Sequence, residues 1–160
     1  MLNKRKRNLL ITTIVFLSIA LDQISKIWVR NNFESYVENS IIGDVFMLIK
    51  VENTGAFLGM GSELPETLRI LLLIILPIIV LIGITVYSFI DKALDKISII
   101  GFSLIIGGGI GNIFDRIVYG SVTDFFYLDF CGCKLLLLDH LDLVCIVFAL
   151  NQAIECLRTL

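Results

Sequence analysis

The 160 residues are 57% hydrophobic and 18% charged, with a mean hydropathy of +0.91, more apolar than a water-soluble domain of this length. The chain therefore reads as an integral membrane protein. Its net charge of −2 identifies no partner, and the absence of a basic arm, repeat or low-complexity segment gives no reason to expect nucleic acid.

A membrane-spanning helix needs about 20 mostly apolar residues at roughly 1.5 Å each, and four stretches qualify. The first covers about 8–29, NLLITTIVFLSIALDQISKIWV, and carries Asp22 and Lys26 inside it. Lys4, Arg5, Lys6 and Arg7 precede it, which places the N-terminus in the cytoplasm by the excess of basic residues on inner flanks. A basic start before an apolar run also describes a cleaved signal peptide. Here the run is long, no A-x-A site follows, and cleavage would discard Asp22 and Lys26.

The outside segment 30–67 follows. Within it, IIGDVFMLIKVENTGAFLG (41–59) alternates in part and is rich in Ile, Val and Phe before Asn-Thr-Gly, which predicts a short strand and a turn. A small sheet on the membrane face would carry Asn53 over the outer ends of the helices. Gly55 there supplies a positive φ or a close backbone approach. Gly55, Gly59 and Gly61 would also suit a mobile lid over 53–64.

The second span, about 68–90, is the most apolar, and its Pro77 is tolerated because neighbouring helices repair the backbone. The link DKALDK, 91–96, returns the chain on the cytoplasmic side. The third span, about 97–116, ends in GGGIGNIFDR, whose glycines 107, 108, 109 and 111 allow another helix to pack closely. The connection 117–136 lies outside and contains Asp124. The fourth span, about 137–157, holds Asp139 and Asp142 three residues apart, on one side of a helix.

Helical rise sets the depth of these groups. Asp22 lies roughly 21 Å along the first span and Asn112 about 22 Å along the third, with Lys26 and Arg116 each one turn further on the same faces. Asp139 and Asp142 begin an inward-running helix. The ionisable groups of three helices thus gather at the outer boundary, where charge costs several kcal/mol (~2.5 or more) unless paired or wetted. Snorkelling explains Lys26 and Arg116. Short aspartates cannot snorkel far, so clustered with Asn112 they point to a shared polar site.

Two carboxylates in a low-dielectric pocket cannot both ionise cheaply and come to share a proton. One then serves as base toward water and the other as acid toward a carbonyl. Other hydrolytic chemistries fit less well. No G-x-S-x-G occurs, Ser25 and Lys26 point about 100° apart on a helix, and His140 is the only histidine. Cys131, Cys133, Cys145 and Cys156 form no ligand pattern with it, read instead as small buried hydrophobes, and no metal or cofactor is called for.

Four segments in register resemble the lipoprotein signal peptidases (signal peptidase II). They are L-D-Q-I-S-K (21–26), N-T-G-A-F (53–57), G-G-G-I-G-N-I-F-D-R (107–116) with G-S-V-T-D-F (120–125), and L-D-H-L-D (138–142). The last departs from the family's F-N-x-A-D: Leu138 replaces Phe, Asp139 stands where Asn is usual, and Leu141 replaces Ala. The resemblance implies catalytic roles for Asp124 and Asp142. It implies site-supporting or substrate-binding roles for Asp22, Lys26, Asn53, Gly55, Asn112 and Arg116, to which Asp139 is added. Three carboxylates in one site leave open which pair reacts, and a protonated Asp139 can stand in for an amide.

What the resemblance implies is an all-α membrane protein of one integral domain, 1–160, with four transmembrane helices and a small extracytoplasmic β-element between helices 1 and 2. It lies in the bacterial cytoplasmic membrane as a monomer with both termini inside. There it is an aspartic endopeptidase, cutting diacylglyceryl-modified prolipoproteins on the N-terminal side of the lipidated cysteine, with membrane lipids as its other partners. The competing readings are a small ion- or proton-coupled transporter using Asp22, Lys26 and Asp142 as a relay, disfavoured by the lack of internal repeats, and an inactive relative.

Overall fold

A computed structural model describes residues 3–42, 46–55, 61–130 and 133–137. The expected fourth span from Leu138 onward, with Asp139, His140 and Asp142, lies outside the described residues. The described part of the chain is mostly helical, with a small antiparallel sheet. Three of its helices are long and apolar enough to cross a membrane: α1 (Lys4–Asn32), α2 (Glu66–Ile90) and α3 (Lys96–Tyr119). Each of the first three expected spans lies inside one of them, and the helices run on for two to four residues at most ends because charged residues such as Lys4 and Arg30 are good helix formers once the helix has started.

The helices are polar inward and apolar outward. Along α1 the buried positions Arg7, Ile11, Ser18, Asp22, Lys26 and Val29 recur as one stripe, while Leu9, Phe16, Leu21 and Ile24 are exposed. This is the pattern for a helix whose outer solvent is lipid. Two buried hydroxyls find partners within their own helix: Ser88 Oγ donates to Ile84 O at 2.7 Å and Ser103 Oγ to Ile99 O at 2.7 Å.

Both α1 and α2 pack on α3, and glycine governs both contacts. A Cβ at Gly107 would lie 2.5 Å from Ser18 Cβ of α1, one at Gly111 would meet the Asp22 carboxylate, and one at Gly109 would lie 2.8 Å from Leu81 Cδ1 of α2. The glycine run expected to admit one neighbour admits two, from opposite sides. In α2 a π-helical turn, Leu71–Ile75, closes on a bond from Leu76 N–H to Leu71 O. It directly precedes Pro77, which has no N–H to give to the turn behind it. At the other end of α2, the buried Arg7 guanidinium donates to the carbonyls of Phe89 and Asp91.

The sheet differs from the sequence expectation in its source. A strand between the first two spans was expected, and β1 (Glu38–Ile42) and β2 (Phe46–Asn53) supply it. Two further strands, β3 (Val122–Phe130) and β4 (Cys133–Leu137), come from the connection after α3, giving an antiparallel order β1-β2-β3-β4. Gly120, at φ 77°, ends α3 in the left-handed conformation and turns the chain into β3 within two residues.

Candidate functional site

The site forms where the C-terminal ends of α1 and α3 meet the central strands of the sheet. Asp22, Lys26 and Arg30 form a ladder on α1, four residues apart. Lys26 is fully buried, with Nζ 3.1 Å from Asp22 Oδ1, 2.7 Å from Asp115 Oδ2 and donating to Asn112 Oδ1 at 2.8 Å. Arg30 Nη2 lies 3.1 Å from Asp115 Oδ1, and Gln23 Nε2 donates to Asp22 Oδ2 at 3.0 Å and to Asp115 Oδ1 at 3.3 Å. Two buried carboxylates thus share two cations, an arrangement that satisfies charges which would each be costly alone.

Above this network the β2–β3 register sets the chemistry. Val51 pairs with Asp124, Glu52 with Thr123 and Asn53 with Val122. Side chains alternate across a sheet, so Asn53 and Asp124 share one face and Glu52, Thr123 and Ser121 the other. Asn53 Nδ2 donates to Asp124 Oδ2 at 3.0 Å, and Asn53 Oδ1 accepts from Gly55 N–H at 2.9 Å. Arg116 Nη2 donates to Gly55 O at 3.0 Å, tying the Asn-Thr-Gly turn to α3 through a backbone carbonyl.

Asp124 is fully buried, and its Oδ1 has no hydrogen-bond partner among the described residues. Burial pushes its carboxyl up from 3.8 to about 6, against the opposing pull of the Asn53 hydrogen bond and of Lys26 and Arg116. Such a group is half-protonated at about pH 6, close enough to neutrality that it can take or give a proton. No group of three His, Cys, Asp or Glu is placed to hold a metal among the described residues.

Asp22, Lys26, Asn53, Gly55, Asn112, Arg116 and Asp124, the residues singled out in the sequence, therefore lie in one connected region. Asp139 and Asp142 lie outside the described residues. Sequence reasoning drew attention to Asp115 beside Arg116 without assigning it a role, and assigned none to Arg30, Gln23, Glu52 and Thr123. Two of these were legible: Arg30 continues the four-residue spacing from Asp22 through Lys26, and Asp115 lies four residues beyond Gly111, on the face where α1 comes closest. Glu52 and Thr123 depend on strand register, which the sequence does not display.

The family described as Signal peptidase (SPase) II matches residues 14–154. The lipoprotein signal peptidase of Borrelia duttonii (strain Ly) is 39% identical over 130 residues, 79% of this chain and 75% of that protein. Its counterpart in Wigglesworthia glossinidia brevipalpis is 40% identical over 127 residues, covering 76% and 74%. The fold is also that of a solved bacterial membrane enzyme, with a TM-score of 0.73 at 21% identity across 92% of this chain and 87% of that one. With a match across most of its length, and relatives this similar, the chain belongs to the signal peptidase II family of lipoprotein signal peptidases.

Proposed function

We propose that this membrane peptidase is an aspartic endopeptidase that removes the signal peptide from prolipoproteins carrying a diacylglyceryl group. It cleaves on the N-terminal side of the modified cysteine. Asp124 and Asp142 form the dyad, sharing one proton. The ionised member takes a proton from water as its oxygen attacks the peptide carbonyl, and the protonated member gives its proton to the carbonyl oxygen. Collapse of the tetrahedral species returns that proton to the dyad and delivers the other to the departing amine nitrogen. Asn53 and Arg116 hold the turn that orients the peptide. The observation carrying this reading is the buried Asp124 carboxyl, with one oxygen fixed by Asn53 and the other without a partner among the described residues.

The chain works as one integral domain, 1–160, of four spans in the bacterial cytoplasmic membrane, monomeric, with both termini inside and the sheet outside. The acyl chains of the substrate lie between helices in the outer leaflet and bring the scissile bond to the depth of the aspartates, turning a bimolecular search into a positioned reaction. Purified full-length protein in detergent should cleave a diacylglyceryl-modified preprotein, spare its unmodified form and ignore chelators. Asp139→Asn should remain active and Asp142→Asn should not. Equal cleavage of modified and unmodified substrates would overturn the substrate assignment, and inactivity of Asp139→Asn would move the dyad to Asp139.

A further inference from the structure

We infer that Thr123, clamped between Arg30 and Glu52, is a positioning residue that fixes strand β3 so that Asp124 meets its partners in register. The inference rests on the reading of Asp124 as a catalytic carboxylate and extends it to the opposite face of the strand. Thr123 is fully buried. Its hydroxyl is used twice: Oγ1 accepts from Arg30 Nε at 2.7 Å and donates to Glu52 Oε1 at 3.0 Å. Glu52 faces it directly across the β2–β3 ladder, and its other oxygen, Oε2, accepts from Ser121 Oγ at 2.7 Å.

Arg30 is held from three further directions. Its Nη2 faces Asp115 at 3.1 Å, its Cζ stands 3.9 Å from the centroid of the Tyr119 ring, and its carbonyl accepts from Lys50 Nζ at 3.3 Å. One guanidinium therefore couples the ends of α1 and α3 to the residue next to Asp124. The chain of contacts, Glu52 to Thr123 to Arg30 to Asp115 to Lys26, joins the sheet to the helices through two charge-assisted hydrogen bonds, which are stronger than neutral ones, and two ion pairs at 3.1 and 2.7 Å. The side chains of Glu52 and Thr123 lie on the face of the β2–β3 ladder opposite Asp124, so the hydrogen bonds of the clamp reach Asp124 through the strand, while the Glu52 charge also acts on its carboxyl directly and raises its pKa.

Only a group that can both accept and donate satisfies Arg30 and Glu52 together, and this is what the threonine hydroxyl does. Valine has the same shape without the hydroxyl; serine keeps the hydroxyl without the methyl. In the full chain assayed on a diacylglyceryl-modified preprotein, Thr123→Val should lower kcat roughly tenfold with KM within about twofold, and Thr123→Ser should restore kcat to within about threefold of the parent. A Thr123→Val enzyme of parental kcat, or a Thr123→Ser enzyme as slow as Thr123→Val, would overturn the inference.

If Thr123→Val does not accumulate in folded form, Glu52 decides. Glu52→Gln keeps an acceptor for Thr123 and should stay fast, whereas Glu52→Leu should be slowed at least fivefold; equal rates for the two would overturn the clamp. Asp124→Asn, run alongside, separates the two readings. Activity in that variant removes the catalytic assignment itself, while an inactive Asp124→Asn beside a fully active Thr123→Val removes the clamp alone.

Discussion

At Asp124, the burial that raises the carboxyl's pKa is also what suits it to the proton transfer proposed for it. The folded protein favours the protonated carboxyl, with its pKa near 6 against an ordinary 3.8. The stability this group contributes is therefore complete below about pH 3.8 and is lost as pH rises through about 6. At neutral pH the ionised form carries a penalty of roughly 3 kcal/mol relative to the unfolded chain. Asp124→Asn removes that penalty. The variant should melt higher than the parent at about pH 8, with the difference vanishing near pH 4; a parent that melts higher at pH 8 would contradict the burial account. Lys26 behaves oppositely, because its cation neutralises Asp22 and Asp115. Lys26→Met should cost about 3–5 kcal/mol, the loss typical of one partner of a buried ion pair, and appear as a large fall in Tm. Adding Asp115→Asn should recover part of it.

Between elements, the space around each glycine predicts what a methyl group will do there. Gly111→Ala drives a Cβ into the Asp22 carboxylate and should destabilise by about 1–3 kcal/mol through overpacking. Gly83→Ala meets nothing within 4 Å and should be neutral or stabilising by up to about 1 kcal/mol from helix propensity. Thermal melts of the two single variants in one detergent test the contrast; equal melting points would mean that α1 does not approach α3 as described. The same glycines show how far the sequence could be read. The run at 107–111 announced close packing, and length and hydropathy announced three helices within a few residues of their ends. The second half of the sheet went unread. VTDFFYLDF alternates poorly, and its strand character comes from pairing with β2, a long-range contact that local pattern does not carry. Site residues on helices were accordingly easy to place by spacing, and Arg30 and Asp115 could have been added by extending it. Glu52 and Thr123 required the register.

For the whole molecule, the inversion of polarity joins fold to activity. The three apolar rods among the described residues expose leucine and isoleucine and enclose serine, lysine and aspartate. They bring Lys26, Asp22 and Asp115 together at one end, beneath a sheet whose central strands come from two connections far apart in sequence. Arg7 secures the opposite end through the last carbonyls of α2. Replacing it by Ala should lower stability by about 1–3 kcal/mol, the cost of lost charged hydrogen bonds, and leave turnover per folded molecule unchanged, since it lies at the far end of α1 from Asp124. The central claim, that Asp124 supplies chemistry and not merely structure, is tested most directly by single-turnover cleavage with wild-type and Asp124→Asn protein, each confirmed folded by its melting point and mixed in excess with a diacylglyceryl-modified preprotein. The account predicts rapid release of the signal peptide by the wild type and a rate at least about 10³-fold lower for Asp124→Asn. Cleavage by folded Asp124→Asn within tenfold of the wild-type rate would contradict it.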